Sequence, residues 1–152
     1  MRWVNHQAVT GMAVYMLTGN LVYAACAMAG AVLPDRVEGK PWQAKDYWAW
    51  RKKHRGYSHW FAPYAMAAYV FWSIAFGPWK ELALIGFFLM FGALCHLFED
   101  ALCGQIPLWG SRLRIGIRLF RVGSLSECIV SLILIVLLYI AGIMGPFPYA
   151  LP

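Results

Sequence analysis

The sequence predicts an all-α integral membrane protein: a short N-terminal helical hairpin plus three transmembrane helices around a metal site. Three observations carry this expectation. The 152 residues are 61% hydrophobic and 13% charged, against about 25% charged residues in ordinary soluble domains. Long uncharged runs, residues 8–33, 82–94 and 129–143 among them, alternate with turn signals and basic segments, which is the pattern of membrane helices rather than of a greasy soluble core. Histidines and carboxylates gather at the ends of those runs. The length points to a single domain over residues 1–152.

The first uncharged run, 8–33, admits two readings. It is long enough for one span, but Thr18-Gly19-Asn20 in its middle is a turn signal. The alternative is a hairpin of two short helices, 7–17 and 21–33, that dips in and returns to the same side, with the backbone at its turn covered by protein. Periodicity does not separate the two. Arg2, the apolar stretch and the Ala-x-Ala triplets at 25–27 and 27–29 loosely fit a signal peptide, but Asn5-His6-Gln7 and Thr18-Gly19-Asn20 interrupt its core, so the segment reads as retained.

Pro34 ends that run. Residues 35–57 form a charged loop or amphipathic surface segment in which basic residues are interleaved with Trp42, Tyr47, Trp48 and Trp50. Basic groups beside Trp and Tyr suit a membrane interface; nucleic acid, the other reading of that mixture, is not expected on so hydrophobic a chain. Residues 58–76 make the next span, with Pro63 in its first turns, where proline is best tolerated. Gly77-Pro78 is a tight turn, Lys80 and Glu81 mark the second interface, and 82–102 form the following span. Residues 103–123 are a second basic segment, 125–143 the last span, and the Gly145-Pro146-Phe147-Pro148 tail is irregular. The four cysteines form no CxxC pair and read as small core residues in reduced surroundings.

Orientation follows from charge. Segments 34–57 and 103–123 lie on one side, because two spans separate them, and they hold eleven of the thirteen Lys and Arg residues. The positive-inside rule puts them in the cytoplasm of a multi-pass inner-membrane protein.

His96 and Asp100 close the run 82–94 and share one helix face at i, i+4. Such groups at the end of a membrane helix are costly and seldom idle. His54 and His59 flank the start of the second span, Asp35 follows the first run, and Glu127 opens the last span. All six converge on the cytoplasmic side, and His6 joins them only if 8–33 is the hairpin. Imidazole and carboxylate are the ligand types of zinc hydrolase sites. Seven such groups exceed the needs of one tetrahedral ion and suit two or three, which together clamp a phosphoryl group and activate a water. Arg55, Arg112 and Arg114 are placed to hold phosphate oxygens.

Each residue alone also has an ordinary reading. Ser124-Leu125-Ser126-Glu127 is a capping box, His54 is one more base in Arg-Lys-Lys-His-Arg, Asp35 caps a turn, and Glu99, about 100° around the helix from Asp100, is a solvated or headgroup-facing neighbour. Convergence carries the case, not any one residue.

At this point the chain resembles a known family. His6, Leu33-Pro34-Asp35, His54-Arg55-Gly56-Tyr57-Ser58-His59, His96-x-x-x-Asp100, Gly104-x-x-Pro107-Leu108 and Gly123-Ser124-x-x-Glu127 run in the order seen in the LexA-regulated membrane hydrolase family of bacterial inner-membrane proteins. The His-Arg-Gly-x-Ser-His block is the most specific part. That family is distantly similar to the all-helical zinc-dependent phospholipase C and single-strand nuclease superfamily. The resemblance implies that His6, Asp35, His59, His96, Asp100 and Glu127 are metal ligands, leaves His54 as a ligand or an acid beside them, and favours the hairpin. Glu127, a longer arm than Asp, departs from the expected pattern.

The function expected is metal-dependent hydrolysis of a phosphoester, with two or three zinc ions as cofactor and a phospholipid or lipid-linked phosphate as substrate. Asp35 or His54 would handle protons. Two rivals stand beside it: a non-enzymatic membrane protein with a structural metal site or partner-binding role, and a small transporter using His96 and Asp100 as a proton relay. The last span offers the relay only Ser131 and Tyr139. The His-Glu-x-x-His motif of intramembrane metalloproteases is absent.

Overall fold

A computed structural model describes residues 1–39, 45, 46, 48, 55–109 and 113–145. The described chain is mostly helical: α1 (Trp3–Thr18), α2 (Leu21–Gly30), α3 (Leu33–Glu38), a 3₁₀ turn (Tyr57–His59), α4 (Phe61–Ile74), α5 (Lys80–Cys103) and α6 (Leu125–Met144), with short strands β1 (Ile106–Trp109) and β2 (Leu113–Ile115) between the last two helices. α5 and α6 are long and apolar enough to cross a membrane.

Residues 8–33 form the hairpin, not one span. Gly19 closes α1 in the left-handed conformation at φ 63°, where glycine carries no steric penalty. The Asn20 side chain accepts from the backbone N–H groups of Val22 and Tyr23 and so caps α2. Thr18 Oγ1 donates to the Val14 carbonyl and accepts from Asn20 N–H. The turn's polar groups thus find partners within the hairpin, which is what a turn held away from water requires.

α2 packs against both α1 and α5, α4 lies on α5, and α6 lies on α1. The core is built where these helices meet, from Val14, Tyr23, Ala24, Ala27, Leu84 and Phe88, with Phe87 and Phe91 stacked beside it. α2 and α5 approach very closely. A Cβ on Gly30 would fall 1.9 Å from the Leu89 carbonyl oxygen, and one on Gly92 would fall 2.0 Å from that of Ala27. Small residues allow this contact, as they do between membrane helices generally.

Two expectations are corrected. The helix in 58–76 runs only from Phe61 to Ile74, 14 residues, about 21 Å at 1.5 Å per residue and short of a hydrocarbon core of about 30 Å. Pro63 explains the late start, because an earlier helix would drive its ring into the His59 carbonyl. The chain before it tightens into the 3₁₀ turn that carries His59 inward. The basic segment 103–123 is also not all loop. β1 and β2 pair antiparallel, with Ile106 opposite Ile115 and Pro107 opposite Arg114. Past β2, the N–H groups of Ile117 and Leu119 donate to the carbonyls of Ala101 and Leu102, satisfying acceptors in the last turn of α5 that have no intrahelical partner. The Pro146–Pro148 part of the tail lies outside the described residues.

Candidate metal centre

Five of the singled-out side chains meet at one end of the helices. α1 supplies His6, α3 supplies Asp35, the 3₁₀ turn supplies His59, and α5 supplies His96 and Asp100. The three imidazoles are wholly buried and Asp100 almost so, while 19% of the Asp35 side chain remains exposed.

The imidazoles share one arrangement: Nδ1 is engaged outward and Nε2 faces the cluster. His96 donates its Nδ1–H to the Ala31 carbonyl at 2.7 Å. A carbonyl only accepts, so this bond fixes the tautomer and leaves the Nε2 lone pair free. His6 Nδ1 lies 2.6 Å from Glu99 Oε2, and His59 Nδ1 lies 2.9 Å from Ser58 Oγ. Metal-binding histidines are characteristically held this way, by a carboxylate, a carbonyl or another polar group on the far nitrogen.

The inward atoms are close. His59 Nε2 is 3.4 Å from Asp35 Oδ1 and 3.4 Å from His96 Nε2, and His96 Nε2 is 3.6 Å from Asp35 Oδ1. Ligands 2.0–2.1 Å from a tetrahedral ion stand roughly 3.3 Å apart, so these three atoms outline one face of such a tetrahedron. Asp100 Oδ2 lies 3.5 Å from His59 Nε2 and 3.8 Å from His96 Nε2. A second, overlapping group joins His6, His96 and Asp100. There His6 Nε2 makes no hydrogen bond and sits 3.4 Å from Asp100 Oδ1. His96 has one free lone pair and can serve only one group. The two groups are therefore alternatives for His96: Asp35–His59–His96 with a His6–Asp100 pair beside it, or His6–His96–Asp100.

Charge is balanced around the carboxylates. The amino group of Met1 lies 2.7 Å from Asp100 Oδ1, and Arg55 Nε lies 2.8 Å from Oδ2. Trp3 Nε1–H donates to Asp35 Oδ2 at 2.7 Å, which leaves Oδ1 for the cluster. Burial pushes the Asp35 carboxyl up, but His59, His96 and Trp3 together hold it down to about 2. Burial pushes His59 down, and the facing Asp100 and Asp35 carboxylates more than offset it, so its imidazole is raised above the ordinary histidine value.

The remaining singled-out residues fall elsewhere. Glu127 is in neither ligand group. Its carboxylate accepts from the backbone N–H groups of Arg2 and Gly123 and from the Asn5 side-chain amide at 2.7 Å. Ser124 Oγ accepts from Glu127 N–H, as the capping-box reading anticipates, and Glu127 thereby ties the start of α6 to the start of α1. Arg55 reaches the cluster, with a backbone φ of 56°, an uncommon conformation for a residue other than glycine. Arg114 instead donates to the carbonyls of Arg55 and Gln105 and braces the loop. His54 and Arg112 lie outside the described residues.

Glu99 overturns its expected place. It is not solvated but 3% exposed, held between His6 and Thr10, whose Oγ1 donates to Oε1 at 3.1 Å. The i, i+3 spacing from His96 carried no signal for it. What buries Glu99 is α1 crossing that side of α5, a tertiary event. The cysteines among the described residues are free thiols, and Cys103 Sγ accepts from Arg55 beside Asp100.

The family model described as YdjM inner membrane protein matches residues 1–147. No curated protein and no solved structure matches the chain.

Proposed function

The chain belongs to the YdjM inner membrane protein family, and we propose that it is a multi-pass metal-dependent hydrolase of phosphoester bonds, working on a phospholipid or lipid-linked phosphate at the cytoplasmic membrane face. The observation that carries the reading is the Asp35–His59–His96 face, with edges of 3.4, 3.4 and 3.6 Å and every far nitrogen anchored. Two imidazole Nε2 atoms at 3.4 Å need a proton or a cation between them; the hydrolase requires the cation, and metal content distinguishes the two.

A zinc-type ion held there would supply a bound water acidic enough to act as a nucleophile near neutral pH and a Lewis acid for a phosphoryl oxygen. His59 and His96 fix the position through their anchored rings. Asp35, the ligand with the most exposed side chain, marks the side from which substrate enters. Arg55, paired with Asp100 at 2.8 Å, brings a guanidinium to the cluster's edge, where it would neutralise phosphate charge. The His6–Asp100 pair is the start of a second ion site, so the expected content is one ion, or two where the pair is completed by substrate or water. In this reading α4 crosses the bilayer with the turn residues at its ends, and the His–carboxylate cluster lies at cytoplasmic headgroup level.

The test is elemental mass spectrometry on detergent-purified protein beside Asp35→Ala and His96→Ala variants, followed by a screen of lipid and soluble phosphoesters. Ion content lost in both variants together with hydrolysis lost in both supports the reading. Protein kept from chelators that carries no metal would overturn it.

The near-complete burial of four of the five ligands favours a second reading, a closed structural ion that staples α1, α3 and α5. It predicts bound metal, unfolding on chelation and no hydrolysis.

A further inference from the structure

α6 lies on α1, and α5 also touches α1 and packs on α2. Between α5 and α6 the described residues leave a groove of about 340 Å³, lined by Val9 and Ala13 of α1, Phe91 and Leu94 of α5, and Leu134 and Leu138 of α6. It runs along α5 from Phe91 to Glu99, about 12 Å at 1.5 Å per residue. At one end stand Thr10 and Glu99, which turn their polar atoms to each other and to His6. The groove surface is therefore apolar, yet its end is one hydrogen bond from a candidate ligand.

Its occupant can be argued from size and surroundings. The groove lies between two helices long and apolar enough to span the bilayer, and Ile133 and Leu137 of α6, next to its lining residues Leu134 and Leu138 in sequence, are exposed. An apolar groove of this kind excludes water, and left empty it would forfeit dispersion contacts along its walls. One turn of helix, 5.4 Å high and about 10 Å across, fills roughly 400 Å³. The groove holds less than that over more than two turns of α5, a narrow channel that matches one extended unbranched hydrocarbon chain, whereas a helix of a second copy could only lay side chains over it.

We infer that this groove seats one acyl chain of a single bilayer lipid, placing that lipid's headgroup at the level of the His–carboxylate cluster. Where the hydrolase reading holds, this makes the substrate an acylated lipid rather than a soluble phosphoester, and the groove the element that positions it. Lipid specificity then resides in chain fit as well as in headgroup chemistry.

The experiment uses the full chain in nanodiscs containing phosphatidylglycerol with a mid-chain diazirine. After photolysis, labelled peptides are mapped by mass spectrometry and metal content is measured on the same preparation. Labelling concentrated on Ala13, Phe91, Leu134 and Leu138 over the outward residues Leu132, Ile133 and Leu137, and reduced to the outward level in Ala13→Trp, supports the proposal. Leu138→Trp serves as a second filling variant, and thermal unfolding verifies that each is folded. Uniform labelling of groove and outer face, labelling unchanged in both folded variants, or cross-links joining the groove to a second copy would overturn it. Groove labelling without bound metal sinks the hydrolase reading alone, and bound metal without groove labelling sinks the groove alone.

Discussion

His59 and His96 face each other through Nε2 at 3.4 Å, one on a 3₁₀ turn, the other on a helix long enough to span the bilayer. His96 is committed to this geometry because its Nδ1–H is spent on the Ala31 carbonyl. Two imidazole lone pairs at that distance repel unless a proton or a cation lies between them. Replacing either histidine with Ala should reduce bound metal from about one ion per chain to near zero, read by elemental analysis of purified protein. Ser58→Ala removes one polar group from the far nitrogen of His59 and leaves Glu38 Oε2 at 3.8 Å, so it should weaken metal binding by about tenfold, the smaller end of what such supporting contacts contribute. Equal loss in Ser58→Ala and His59→Ala would contradict this ordering.

Glu99 has a different task from the ligands. Its oxygens hold His6 Nδ1 and Thr10 Oγ1, so Glu99→Leu leaves two buried polar groups without a partner. The expected cost is about 2–4 kcal/mol, seen as a lowered unfolding midpoint in detergent. Glu99→Gln keeps a partner for each group and should cost less. The Asp35–His59–His96 ion should survive in both, because Glu99 touches none of those three side chains in the contacts seen. Loss of that ion in a folded Glu99→Gln variant would place Glu99 among its ligands.

Much of this cluster was legible before the structure. His96 and Asp100 share a helix face by spacing alone, and the ends of uncharged runs mark where Asp35 and His59 must surface. Thr18-Gly19-Asn20 signalled the hairpin that returns Asp35 to the level of His6. What stayed hidden depends on contacts between elements. Glu99 looked solvated because helical geometry says only that it points away from Asp100, not that α1 passes there. By position Glu127 reads as a ligand; its carboxylate takes the backbone N–H groups of Arg2 and Gly123, and of the capping box only the Ser124 half forms. The β-hairpin was missed because its strands are three and four residues long, too short for alternation to stand out.

Glu127 therefore separates stability from chemistry. Its buried carboxylate accepts from Arg2, Asn5 and Gly123 and joins the first turns of α1 and α6. Glu127→Ala keeps the Ser124 cap but leaves the Arg2, Gly123 and Asn5 donors without their acceptor, for an expected loss of about 3 kcal/mol. Metal content per folded molecule should be unchanged. The loss in unfolding midpoint relative to wild type should be the same in melts with and without a chelator. A metal-free but folded Glu127→Ala protein would return Glu127 to the ligand set.

The contact between α2 and α5 sets the distance between Ala31 and His96, and hence the aim of His96. Because a Cβ at residue 92 would come within 2.0 Å of the Ala27 carbonyl oxygen, Gly92→Val must push the helices apart. The bond from His96 to Ala31 should break and the ion should be lost along with much of the stability. Gly77→Ala, where the added Cβ presses on the Ile74 carbonyl oxygen by only a few tenths of an ångström at 3.3 Å, is the milder control and should retain the ion and most of the stability. Wild-type metal content in a folded Gly92→Val protein would show that the close approach does not set the site.

Topology gives the last test, and it bears on the reaction itself. Segments 34–57 and 103–123 carry eleven of the thirteen Lys and Arg residues, and Asp35 and Arg55 of the first lie at the cluster, so under the proposed hydrolase reading the positive-inside rule puts substrate on the cytoplasmic leaflet. With α4, α5 and α6 all crossing, a reporter fused after Met144 should be active only in the periplasm, and a single cysteine introduced at Gly77 should react with a membrane-impermeant thiol reagent applied from outside. The 14 residues of α4 make this a demanding test, because that helix reaches across only if the chain at its ends also enters the bilayer or the bilayer thins. A periplasmic reporter with Gly77 sealed from outside would mean that α4 does not cross with α5, and a cytoplasmic reporter would overturn the three-span count. Either result would move the cluster relative to the leaflets and change which lipids it meets.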